Sequence, residues 1–459
     1  MPTFDDAQLN TLRSRVDPEA DAAVAQLRKG REHLDARAFM MEVLALGRAP
    51  QGKRCDEVRS WFDTPPALPT WANDEASDQL VEHGQEFFKE WSLPITASLF
   101  CGSLPAAYAA AKGARVLGLT SDLAQHGKVN RRVAETGKML IDVMELGAPG
   151  DEKAIGGARP LAFGTKGQQS IRGVRFLHGV IRHSLDRDPR WRDDACRPRT
   201  ERPINQEDLL GTLLTFTSVV FHGMDQLGLA YDHEGADAYL HTWCVIGVHL
   251  GIDADLLPLD RKTADDLMWK IAARQQRPSD DGRVLTAALL QEMETSMPIG
   301  MRRVPRTLIR QLLPRDVADK IDVPKAAWWA PVLDTATRWN RVLTRIPGID
   351  DVARTASEVI GKAMIRLYVD RNLDDGKTPF EVVDRVARHY GVETTPMRCA
   401  ARKTRRDVRV RVVGIVETTS NVAGTVAAKL PGPLGKVVPL ATGGPTNQPA
   451  FPCEGQVAS

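Results

Sequence analysis

Apolar residues recur at three- and four-residue spacing along most of this 459-residue chain, and the strict alternation that marks a half-buried strand is scarce. Such a pattern can bury its apolar faces only by packing helix on helix, so an all-α fold is expected. Pro- and Gly-containing breaks set the segment lengths. The pattern predicts helices at roughly 7–29, 36–46, 74–91, 104–115, 120–146, 168–186, 205–228, 234–251, 262–276, 281–295 and 335–346, with further helices to about 390. Arg409 to Val416 alternates well enough for a short strand, and a basic amphipathic surface segment is the competing reading. No repeat period is visible, which disfavours a solenoid.

The expected organisation is a helical N-terminal extension over 1–35, one large helical domain over 36–390, and a basic segment with a disordered tail over 391–459. The stretches Gly147 to Gly167 and Asp186 to Pro203, rich in Gly, Pro and Arg, are expected as loops at the mouth of a site. With Lys+Arg 61 against Asp+Glu 59, the net charge of +2 is too balanced for a protein that works by neutralising nucleic-acid phosphates. The longest uncharged apolar run, Leu209 to Phe221, falls short of the ~18 residues that span a bilayer, so it is expected as a buried helix and no transmembrane segment is expected. The N-terminus is acidic early and has no apolar core, which gives a cytoplasmic expectation.

Six scattered cysteines (Cys55, Cys101, Cys196, Cys244, Cys399, Cys453) form no C-x-x-C pair for zinc or thiol exchange and no Cys-x-x-Cys-His for covalent haem. Any haem is therefore held non-covalently, as haem b. In SIRGVRFLHGVIRHSL (Ser170 to Leu185), helical spacing puts Arg175, His178 and Arg182 on one face beside an apolar stripe of Val174, Leu177, Ile181 and Leu185, with His183 elsewhere on the helix. Neutral imidazole binds iron, guanidinium groups pair with propionates, and an apolar wall covers a porphyrin. The same spacing also describes arginines solvating a helix beside an ordinary histidine.

In RRVAET, Arg132, Glu135 and Thr136 share a face and could position oxygen and move a proton. An intrahelical Arg–Glu pair with a threonine bonded to its own backbone accounts for the same spacing. The segments Asn205 to Leu229 and Glu234 to Asp253 read as the central, fully buried helices, Asp208 suits a helix N-terminus, and His222, His241 and His249 read as satisfied core histidines, with a supporting or distal place at a site as the competing reading. The D-D-x-x-D metal signature of an α-helical terpene cyclase is missing.

Taken in order, LPAAYAAAKGARVLGLT (Leu104 to Thr120), RRVAET, RFLHGVIRH (Arg175 to His183), EDLLGTLLTF (Glu207 to Phe216) and AYLHTWCVIGVHLGI (Ala238 to Ile252) resemble the latex-clearing protein / MpaB oxygenase family, and MRRVPRTLIRQLLP resembles its Pro-Arg segment. The resemblance spans about residues 35 to 390. It implies a large single-domain helical bundle with globin-like packing around one haem b, His178 as axial ligand to the iron, and Arg175, Arg182 and His183 as cofactor-binding residues around it. By the same resemblance Arg132 and Thr136 match the family's distal-side arginine and threonine, and Glu135 between them is the candidate catalytic base.

The implied activity is a haem-dependent dioxygenase that uses O2 to cleave a C=C bond in an apolar unsaturated small molecule. The resemblance names no redox partner. The alternative is a non-catalytic haem- or lipid-binding protein. Two positions depart from the family. Glu135 stands where rubber-cleaving members carry a lysine able to cap the iron, and Tyr108 to Leu119 holds no acidic residue where those members carry a glutamate base. An isoprenoid or lipid-like substrate made inside the cell fits these departures better than rubber.

Overall fold

Many helix starts are written in the sequence as short polar side chains that accept a hydrogen bond from the first turn, replacing the partner those N–H groups lack. Asp74 accepts from the Ser77 amide at 2.8 Å, Asn205 from Asp208 at 3.0 Å, Asp232 from Gly235 at 2.6 Å and Asp260 from Thr263 at 2.9 Å. In this computed structural model the described residues are 4–26, 56–120, 128–146, 159–193, 198–297, 299–325, 329–343 and 349–373. All belong to one compact unit, Met1–Cys399. Among them every named element is helical, and the single isolated bridge pairs Ala110 with Gln276.

The helices, in chain order, are α1 (Asp6–Leu12), α2 (Pro18–Gln26), α3 (Asp56–Asp63), α4 (Glu75–Glu90), α5 (Ser92–Ser98), α6 (Leu104–Ala109), α7 (Ala111–Thr120), α8 (Lys128–Val143), α9 (Lys166–Leu185) and α10 (Pro189–Arg192). They continue as α11 (Gln206–Phe216), α12 (Ser218–Gln226), α13 (His233–His249), α14 (Arg261–Gln275), α15 (Asp280–Ser296), α16 (Val304–Leu312), α17 (Arg315–Lys320), α18 (Ala330–Leu343) and α19 (Ile349–Asn372). A π-helical turn at Leu99–Ser103 joins α5 to α6. The expected all-α class holds. The helix expected at 36–46, the strand or basic segment at 409–416, the tail and part of the 147–167 and 186–203 stretches lie outside the described residues.

Three expected helices are broken, two of them where the chain bonds outside its own helix. The 7–29 helix divides at Arg13 to Asp17, where the Arg13 and Arg15 carbonyls accept from the amides of Arg202 and Gln206 at 3.0 and 2.9 Å, and Pro18 restarts the chain. At Ala110 (φ −73°, ψ 93°) the 104–115 helix turns aside, and the Arg277 amide reaches the Ala109 carbonyl at 3.0 Å. The long apolar helix bends at Thr217 (φ −118°, ψ −84°) into α11 and α12. The turn from α5 into the π-helical segment was not expected from periodicity at all.

α13 is buried on nearly every side and forms the centre of the molecule against α4. The two backbones approach closely because Gly84 carries no side chain: a Cβ there would lie 2.5 Å from the Ala238 carbonyl oxygen. Around this contact Phe216 stacks on Trp243 at 4.3 Å, and Phe87, Phe88 and Tyr239 complete an aromatic core. Among the described residues no helix is long and apolar enough to cross a membrane.

Candidate active site

α9 begins at Thr165, whose hydroxyl accepts from the Gln168 amide, and carries its apolar stripe toward α7 and α8. His178 lies deep in the molecule and is half-buried. Its Nδ1 is buried with no hydrogen-bond partner. Burial pushes the imidazole down to about 3; the Arg182 charge adds to this, Asp17 opposes it, and Arg132 lowers it further. The ring is therefore neutral near pH 7, the form that donates a lone pair to a metal.

The two arginines on the same face both have protein partners. Arg175 bonds both carboxylate oxygens of Asp17 and also Glu19 at 2.9 Å. Arg182 bonds Asp21 from Nε at 2.7 Å and the Ile204 carbonyl from Nη1 at 3.2 Å, while its Nη2 is buried with no partner. These acids sit on or just before α2, so the N-terminal segment forms a wall of the site. Sequence reasoning missed them because Asp17, Glu19 and Asp21 resemble any acidic helix start. A third guanidinium, Arg172, lies 4.5 Å over the Trp61 ring and donates to the Trp61 carbonyl.

α8 brings Arg132 into the same interior: its guanidinium is within electrostatic reach of His178, and its Nη1 is buried without a partner. Burial lowers its affinity for the proton, and the nearby Glu135 and Tyr108 oppose that shift. Glu135 is buried on the same helix. Thr136 donates its hydroxyl proton back to the Arg132 carbonyl at 3.1 Å, so its oxygen is left as an acceptor. Tyr108, on α6, is buried near Arg132, and burial raises its hydroxyl to about 12, so it keeps its proton. It was passed over in a motif searched for carboxylates.

The remaining candidates separate. His183 lies about 140° round α9 from His178 and is half-buried. His241 Nε2 is 2.8 Å from Ser77 Oγ, a satisfied core histidine. His222 stands edge-on to Trp269 in a separate cleft of about 130 Å³ that none of the expected site residues lines. His249 is buried behind Arg172 and Arg175, and burial, with help from their charges, pushes it down to about 4. The acids of EDLLGT serve the fold, since Glu207 and Asp208 both bond Arg13 at 3.0 Å.

Residues 94–346, more than half of the chain, match the family described as ER-bound oxygenase mpaB/B'/Rubber oxygenase, catalytic domain. The chain belongs to this oxygenase family. Among curated proteins it is similar to the rubber oxygenase of Streptomyces sp. (strain K30), 24% identical over 358 residues, 76% of this chain and 82% of that protein. The solved structure of latex clearing protein LCP in the closed state superposes with a TM-score of 0.59 at 22% identity, covering 78% of this chain and 91% of that one, which establishes the shared helical fold. His178 and Arg132 both fall within the oxygenase domain, whereas Asp17, Glu19 and Asp21 precede it.

Proposed function

We propose that this family member is a haem b-dependent oxygenase that uses O2 to cleave a C=C bond in an apolar, isoprenoid or lipid-like substrate. One observation carries the reading: His178, neutral and with Nδ1 unpartnered, shares a buried interior with Arg132, whose Nη1 is also unpartnered. Buried polar groups left without partners are costly, and a bound group that engages them repays the cost. Among the described residues no set of three or more His, Cys, Asp or Glu side chains could hold a metal alone, so a lone histidine suits an iron whose other ligands come from a porphyrin.

The residues fit that group in distinct ways. His178 would hold the iron, and Arg182 Nη2 would meet a propionate carboxylate. Haem, when bound, supplies the oxygen activation. The chain contributes the rest. Arg132 presents a fixed positive charge to any developing negative charge in a water-poor interior. The buried Glu135 carboxylate is the candidate base, and Thr136 Oγ1 and the protonated Tyr108 hydroxyl supply an acceptor and a donor near Arg132.

Expression with a haem precursor tests the reading. Wild type is expected to show a Soret band, and His178→Ala to lose most of its haem. A wild type without a Soret band removes the proposal, and a His178→Ala protein with an unaltered spectrum removes the ligand assignment. A haem-loaded protein that consumes no oxygen with any unsaturated lipid indicates the non-catalytic alternative.

A further inference from the structure

The oxygenase domain does not contain every group that surrounds the candidate ligand. Asp17 is 2% exposed and lies 158 positions from Arg175, with which it forms a bidentate pair. Its Oδ1 also accepts from the Ala20 amide at 3.2 Å, which ties it to the first turn of α2. The pair is seated on Gly251, at the end of α13, whose φ of +86° suits glycine and where a Cβ would meet both Asp17 Oδ2 at 2.2 Å and Arg175 Nε at 2.8 Å. One turn further along α9, Gly179 lets α2 pack against the helix, a Cβ there lying 3.1 Å from Val24. His178 stands between Arg175 and Gly179, so the α2 contact fixes the stretch of helix that carries the ring.

The charge balance gives this seat a second consequence. Arg182 and Arg132 both act on His178 as positive charges, and Asp17 is the negative group acting against them. Replacing its charge leaves Arg175, one turn from the ring, with only the exposed Glu19 carboxylate as a counter-charge. A buried charge acts over such distances with little screening.

We infer that Asp17 is a positioning residue for His178: through its buried pair with Arg175 on the Gly251 seat, it fixes the helix that presents the ring and counters the arginine charges around it. This rests on the haem reading above. A merely structural Asp17 would affect stability alone. A positioning Asp17 also sets the one-electron reduction potential of the bound iron, because less negative charge nearby disfavours the oxidised, more positive state.

The test uses the full-length, haem-loaded protein and measures reduction potential in Asp17→Asn, Asp17→Glu and Glu19→Gln. Glu19 touches the same arginine but is 65% exposed, so water screens it. Asp17→Asn is expected to shift the reduction equilibrium about tenfold toward the reduced form, ~59 mV upward for one electron. Asp17→Glu should shift it less, and Glu19→Gln should leave it at the wild-type value. An Asp17→Asn potential equal to wild type overturns the inference, as do equal shifts in Asp17→Asn and Glu19→Gln. Should Asp17→Asn fail to fold, Asp17→Glu decides: any upward shift beyond that of Glu19→Gln supports the inference, and none overturns it. A wild type that binds no haem overturns both proposals, whereas haem with an unmoved potential overturns this one alone.

Discussion

Arg175 donates from Nε and Nη2 to the two carboxylate oxygens of Asp17 at 2.6 and 2.8 Å, joining the helix that carries His178 to the N-terminal segment. The planar guanidinium fits this two-point contact as a lysine could not. Breaking such a buried pair strands the arginine charge, so Asp17→Ala is expected to cost the apo-protein about 3–5 kcal/mol in urea unfolding. Glu19→Ala, at the exposed end of the same arginine, should cost less than about 1 kcal/mol. Equal costs would show that the buried geometry contributes nothing.

Arg13 is the second tie between the N-terminus and the oxygenase domain. It bonds Glu201 at 2.7 Å and both Glu207 and Asp208 at 3.0 Å, and Glu207 is fully buried. Arg13→Ala leaves those carboxylates without their shared cation, and a loss of about 3–5 kcal/mol is expected. Glu207 keeps Arg274 at 2.9 Å and Gln275 at 3.1 Å. Adding Glu207→Gln to Arg13→Ala should therefore recover part of the loss, and a double-mutant cycle measures how much.

Gly84 tests the central helix pair. Helix propensity alone favours alanine there by roughly 1 kcal/mol. The contact argues the other way, because a Cβ would fall 2.2 Å from Thr242 Oγ1 and 2.5 Å from the Ala238 carbonyl oxygen, which is backbone and cannot rotate aside. Gly84→Ala is expected to destabilise by about 1–3 kcal/mol. A thermal midpoint at or above wild type would mean that α4 and α13 are further apart than described.

His249 gives a pH dependence with a definite sign. Burial holds its folded-state value near 4, below the ordinary 6.5, so between those values the unfolded chain binds a proton that the folded one refuses. Its contribution is complete above about pH 6.5 and is lost as the pH falls toward 4. Between pH 7 and pH 5, wild type should lose about 2 kcal/mol more than His249→Phe in paired urea titrations. Parallel pH profiles for the two proteins would rule out the titration of His249 in the unfolded chain as the cause.

Much of the site was legible in the sequence because its signals are local. Arg132, Glu135 and Thr136 fall on one helix, Lys128–Val143, and His178 on another, Lys166–Leu185, as spacing predicts. Two features of RRVAET needed the structure: Thr136 bonds back to its helix, and Arg132 has a buried, unpartnered Nη1. The breaks at Ala110 and Thr217 were hidden because each lies inside a run of good helical periodicity. At Ala110 the break comes with bonds to a segment more than 160 positions away.

The sequence by itself determined that the chain is helical, where many of its helices start, and which helix carries His178 and which carries Arg132. Caps and periodicity act within three or four residues, so they can be read in one dimension. Tertiary structure alone decided what the arginines of the histidine helix do. Their partners lie 158 and 161 positions away in a segment that looked like an extension, and a charge selects its partner by proximity in space. Folding brings Asp17 and Asp21 onto that helix, which makes an acidic N-terminus into a wall of the site.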